Sequence, residues 1–146
     1  VEAGLAISEM IAGMRKPTVS LVLGGGHSIG VPLAVSTDYS FIAPTATMTV
    51  HPLRMSGTVI GVAQTFRYFE RMQERICEFV VSNSNIGKEE FKKLMLTTDD
   101  MANDVGTILF AKHAVDCGII NEMGGLSQAL QKMYELIAEQ RERKEK

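Results

Sequence analysis

The stretch KPTVSLVLGGGHSIGVPLAVSTDYSFIAPTATMTVHP, residues 16 to 52, decides the fold. Its first part, Thr18 to Leu23, is β-branched and continuously apolar, the pattern of a strand buried on both faces. The run GGGHSIG (Gly24 to Gly30) breaks that strand. Ile29 to Ser36 then reads as a short buried helix, with Pro32 in its first turn, where a missing N–H costs least. Tyr39 to Ala43 and Thr47 to Val50 are two further strands, parted by the turn Pro44-Thr45-Ala46 and closed by His51-Pro52. Strands alternating with helices put the chain in the α/β class.

The flanks extend the alternation. Upstream, Ile7, Met10, Ile11 and Met14 share one face of a helix over residues 3 to 14, which Arg15-Lys16-Pro17 ends. Downstream, residues 53 to 61 (LRMSGTVIG) read as a loop. A long amphipathic helix follows over 62 to 80, with Val62, Phe66, Phe69, Met72, Ile76 and Val80 on its apolar face. Arg67/Glu70, Arg71/Glu74 and Arg75/Glu78 are spaced for ion pairs along its outer face. Lys88 to Leu96 reads as a short helix, Thr97 to Val105 as an acidic loop, Ile108 to Phe110 as a strand and Ala111 to Cys117 as a helix stopped by Gly118. Gly118 to Glu122 suits the end of a returning strand. The last helix is expected to be capped by Ser127 and to bury Ala129, Leu130, Met133, Leu136 and Ile137. The tail RERKEK is expected to be solvated or frayed.

Composition excludes several functions. The 146 residues carry a net charge of −2, with basic and acidic residues interleaved, so no general affinity for nucleic acid or anionic lipid is expected. Apolar residues make up 45% and charged residues 22%, an ordinary globular balance. No apolar run reaches the ~20 residues that span a bilayer. Cys77 and Cys117, in apolar surroundings, are expected to be free thiols in a reducing compartment. No His/Cys spacing suits a metal, and no cofactor is expected.

The glycine-rich turn is open to several readings. It is neither a Walker loop, since no Gly-Lys-Ser/Thr follows, nor G-x-G-x-x-G, since Gly24, Gly26 and Gly30 are wrongly spaced. Gly26-His27-Ser28-Ile29-Gly30 does match G-x-S-x-G, the strand-to-helix turn of a serine nucleophile. In an α/β-hydrolase the acid and then the histidine follow the serine. Asp104 and His113 keep that order but lie close together, and the remaining chain is short for that fold's sheet.

The whole of residues 16 to 52, the helix over 62 to 80 and the segment AVDCGIIN (Ala114 to Asn121) together resemble the ClpP/crotonase superfamily. The resemblance implies an α/β fold of repeated β-β-α units, here with its N-terminal strands missing. It implies a single ClpP-like domain over 1–138 with a charged tail at 139–146. Crotonases use similar turns to hold a thioester enolate and need no serine. ClpP-like serine peptidases instead carry a serine at the helix start and a histidine after the second following strand. Ser28-Ile29-Gly30 and Thr49-Val50-His51-Pro52 are similar to both of their motifs, which favours the peptidase branch. Three readings follow: a serine endopeptidase, a crotonase-type acyl-CoA enzyme, or a non-catalytic ClpP-like assembly protein.

On the peptidase reading Ser28 is the nucleophile, His51 its general base, and the Ile29 N–H an oxyanion donor at the positive end of the helix. The resemblance puts an aspartate shortly before AVDCGIIN. Asp104 fits if an insertion follows it; without the insertion the position falls on Gly106, which has no side chain, and Asp99 and Asp100 are next in line. His27 is expected to be structural or substrate-facing, His113 an exposed helix residue, and Asp116 outside the site. Leu53, Arg54, Met55 and Ser56 lie in the segment that ClpP-like chains use to bind peptide as an added strand. The resemblance further implies a cytoplasmic, ring-forming homo-oligomer acting on peptides or unfolded proteins, with any ATPase partner unidentified. It also places a second oxyanion donor, a glycine pair, upstream of Val1, so an N-terminal segment is expected beyond this sequence.

Overall fold

The computed structural model describes residues 1–98 and 105–145. Its elements, in chain order, are α1 (Glu2–Ala12), β1 (Val19–Val22), β2 (Gly25–His27), α2 (Gly30–Val35), β3 (Tyr39–Ile42) and β4 (Thr47–Val50). There follow α3 (Ala63–Ser82), α4 (Lys88–Leu96), β5 (Thr107–Phe110), α5 (Ala111–Asp116), β6 (Glu122–Met123) and α6 (Leu126–Glu145).

Two three-stranded sheets, ordered β1-β3-β6 and β2-β4-β5, form the frame. In the first, β1 runs parallel to β3 (Val19 opposite Tyr39) and β3 parallel to β6. In the second, β2 runs parallel to β4 (Gly25 opposite Thr47), and β5 is antiparallel to β4, with Thr107 opposite Val50. The pairs β1/β3 and β2/β4 are one parallel ribbon bent in the middle, with β6 and β5 added beside β3 and β4. The first strand of the ribbon turns at Gly24, whose φ of +69° suits a residue without Cβ, and the second at Pro44-Thr45. Backbone bonds carry pairing across the bend, from Ala43 N–H to the Val22 carbonyl (3.0 Å) and from Thr47 N–H to the Gly24 carbonyl (2.8 Å).

The helices close a core of Val31, Val35, Ile42, Met48, Val50, Cys77, Val80, Phe91, Leu109 and Ile120 around this ribbon. A side chain substitutes for ladder bonds next to the two-residue β6. Asn121 Oδ1 accepts from both the N–H (2.8 Å) and the hydroxyl (2.9 Å) of Ser40.

Four expectations need correction, besides that for Leu130, which is exposed on α6 rather than part of a buried stripe. The stretch Gly25–His27, read only as turn, is a strand, because its partner β4 supplies the pairing that two glycines have no propensity for. Ser127 does not cap the last helix: α6 already starts at Leu126, and Gln128 Oε1 accepts the Gly125 N–H (3.1 Å), a side chain reaching back over the first turn. The charged tail, expected to be solvated or frayed, is exposed at Arg141, Glu142 and Arg143 but helical through Glu145 rather than frayed.

The fourth concerns α3. Its C-terminal half buries Met72, Cys77, Phe79 and Val80, whereas Val62 and Phe66, assigned to the same buried face, are exposed. Its charges also reach other helices. Arg75 pairs with Glu2 of α1 (3.1 Å), and Glu74 pairs with both Lys88 and Lys92 of α4, the latter at 3.1 Å. No ion pair along α3 itself forms among the described residues.

Candidate active site

The site is assembled where the bent ribbon meets α2. Ser28 follows β2 directly and adopts φ +56°, the sole non-glycine residue with positive φ among the described residues. A left-handed backbone costs a residue with a Cβ roughly 1–2 kcal/mol, so the surroundings must hold it. They do so through the main chain. Ser28 N–H donates to the Thr49 carbonyl (3.0 Å), and the Ser28 carbonyl accepts from Val31 N–H (3.0 Å) in the first turn of α2. The Ser28 side chain is left exposed at the end of a strand, at the tip of a sharp turn into a helix. The next N–H, that of Ile29, is taken by no backbone carbonyl among the described residues.

His51 directly follows β4, the strand that carries Thr49. The half-buried imidazole has its Nδ1 2.7 Å from the carbonyl oxygen of Pro52. Gly106, immediately before β5, packs against the same residue. A Cβ at position 106 would lie 2.8 Å from His51 Cβ and 3.0 Å from His51 Cα, and would also strike the Val50 carbonyl oxygen. At φ +124°, position 106 also has a backbone that suits glycine alone. The position to which uninterrupted spacing assigns the acid therefore abuts the histidine but has no room for any side chain.

Ser28, Ile29, His51, Pro52, Leu53 and Arg54 line one cavity of about 120 Å³, whose apolar floor includes Val31, Ile76, Phe91 and Met95. Of the residues expected to bind substrate, Leu53 and Arg54 reach this cavity; Met55 and Ser56 lie beyond its lining and are exposed. Leu53 N–H donates to Gln73 Oε1 of α3 (3.1 Å), which fixes the start of the segment, and Arg54 donates to the Val105 carbonyl at 3.5 Å. Asp104, like Asp99 and Asp100, lies outside the described residues.

The other titratable residues fall away from the site as expected. His27 Nδ1 lies 2.8 Å from Thr49 Oγ1, a cross-strand contact that ties the ring to the sheet. His113 is exposed on α5, and Asp116 pairs there with Lys112 (2.6 Å). Both cysteines are free thiols, and burial pushes each pKa up, which disfavours the thiolate. Among the described residues, no group of acidic, histidine or cysteine side chains could hold a metal ion. Nor is any helix among them long and apolar enough to cross a membrane.

Sequence reading missed the roles of Gly106 and Pro52. Both act through the backbone, and a glycine or proline in a loop gives no sign of which side chain it will touch.

A bent parallel ribbon with a left-handed serine turn and a strand-end histidine on one cavity defines a class, and comparison with known proteins supplies its family. Residues 1–126 match the Clp protease family, and the chain belongs to it. Its sequence is similar to that of the translocation-enhancing protein TepA of Halalkalibacterium halodurans, with 58% identity over 140 residues. The match covers 96% of this chain and 55% of TepA, so the chain spans about half the length of that curated relative.

Proposed function

We propose that this chain carries the catalytic centre of a ClpP-like serine endopeptidase. The observation that carries the reading is Ser28, held exposed at φ +56° on the rim of the cavity that His51 also lines. A strained serine at a strand-to-helix turn, with a histidine on the same cavity, suits an activated nucleophile.

The chemistry follows from these groups. His51 Nε2 takes the Ser28 Oγ proton as Oγ bonds to the scissile carbonyl carbon. The oxyanion that forms accepts the Ile29 N–H. The C–N bond then breaks, the amine leaves with the proton from His51, and the acyl group stays on Ser28. Water, deprotonated by His51, hydrolyses that ester and restores the serine. Asp104 is the carboxylate proposed to stabilise the imidazolium. The segment from Leu53 to Ser56 is proposed to receive the peptide in extended form, main chain to main chain, so selectivity among unfolded or peptide substrates is broad.

Membership of the family supports a ring-forming homo-oligomer. We read residues 1–138 as one domain with 139–146 as its charged tail, working in the cytoplasm without a cofactor. The test is a fluorophosphonate probe applied to the assembled protein and to Ser28→Ala. Labelling of the first and not of the second is expected. An unlabelled assembled protein overturns the reading, and acyl-CoA binding by that sample would put the thioester branch in its place.

A further inference from the structure

We infer that the main chain, through the carbonyl of Pro52, positions His51 and sets its tautomer, the task a carboxylate performs in a Ser-His-Asp triad. The inference rests on the peptidase reading above for its catalytic meaning, but not for its geometry. A carbonyl oxygen can only accept a hydrogen bond. With Nδ1 of His51 2.7 Å from the Pro52 oxygen, the proton of the neutral ring is on Nδ1. Nε2 is then the unprotonated nitrogen, the form a general base needs.

Gly106 makes this arrangement specific. The backbone at 106 lies against Cα and Cβ of His51, too close for any side chain to enter between them. Its N–H donates to the Thr97 carbonyl (2.7 Å), which anchors the glycine. His51 is thus held between the carbonyl of the residue after it and a glycine whose φ of +124° other residues rarely adopt. Orientation and charge stabilisation, which one carboxylate usually combines, are divided here. Pro52 orients the ring, and a carboxylate such as Asp104 has only the imidazolium charge left to offset.

The division has a measurable consequence. Where a carboxylate sets the tautomer, changing it to the amide costs about 10⁴-fold, because the amide imposes the wrong tautomer. Here Asp104→Asn is expected to slow fluorophosphonate labelling of Ser28 by no more than about tenfold to a hundredfold. A larger loss overturns the inference. The second measurement is independent of activity. Nitrogen-15 spectra of the histidine side chains, recorded on the native protein and on Asp104→Asn above the pH at which His51 titrates, with His51→Gln for assignment, are expected to show the proton on Nδ1 in both. A proton on Nε2 in either overturns the inference even if Ser28 labels normally. A proton on Nδ1 in both, in a protein that does not label, supports it while the peptidase reading falls.

Discussion

The cavity's lining and the segment that leads away from it are built in opposite ways. In the lining, Ser28 and His51 are fixed by strands that pack on a core in which Met48 and Leu109 are both 0% exposed. Beyond the lining, the segment from Met55 to Gly61 has no regular structure, and its apolar side chains face solvent, with Ile60 70% exposed. Its ends are tied, by Leu53 N–H to Gln73 and by Val62 N–H to the Ile60 carbonyl (2.9 Å). Atoms that must meet within a fraction of an ångström sit where the fold is over-determined. Between those ties the segment makes no backbone-to-backbone hydrogen bond among the described residues, which suits main chain proposed to pair with a peptide.

Perturbing each region separately sharpens this contrast. The largest effect is expected in the core under the rigid wall of the lining. Leu109→Ala, on β5 beside the histidine strand, should cost about 2–5 kcal/mol in urea unfolding. An equally stable variant would mean that this wall is less tightly packed than its burial indicates. Next is Gly106→Ala, which strains a position at φ +124° and pushes on His51. A loss of about 1–3 kcal/mol is expected, with Ser28 labelling slowed at least tenfold in the fraction that remains folded. Labelling at the unaltered rate would show that glycine is not needed to hold the imidazole. In the loose segment, Met55→Ser should leave stability within about 0.5 kcal/mol, since the side chain is largely exposed. Its effect is expected in KM for peptides, and a change in Tm of several degrees would contradict the description of this segment.

The smallest effect is electrostatic and lies far from the cavity. Hydrogen bonds from Lys88 and Lys92 hold the Glu74 carboxyl below its ordinary pKa. The ionised form is therefore favoured by folding. Its contribution is complete above the ordinary carboxylate pKa, near 4.3, and is lost as the pH falls through the lower folded value. Urea midpoints of the native protein should drop more than those of Glu74→Gln across that acidic range. Parallel curves would show that the exposed cluster adds nothing.

Much of the fold was legible in sequence because period and burial agree. TVSLVL, YSFIA and TMTV are β-branched or aromatic runs, and each lies where the structure has a strand. What escaped was set by long-range pairing or by the environment. The strand at Gly25–His27 exists only because Thr47–Thr49 lies beside it. The stripe along α3 has helical spacing throughout, and spacing alone cannot tell that Phe66 has nothing to cover it. The candidate nucleophile and base were legible as a motif, since Ser28 stands in a glycine-rich run between an apolar strand and a helix, and His51 at the end of a recognisable strand. The groups that hold His51 were not, because a glycine or a proline in the sequence does not say which side chain its backbone will meet.

The backbone at Ser28 also sets stability against reactivity. Glycine adopts φ +56° without strain, so Ser28→Gly is expected to raise the unfolding free energy by about 1 kcal/mol while removing the hydroxyl; Ser28→Ala keeps the strain. Selection for stability alone would therefore favour a different residue here, and the native serine holds this molecule below the stability its own fold could reach.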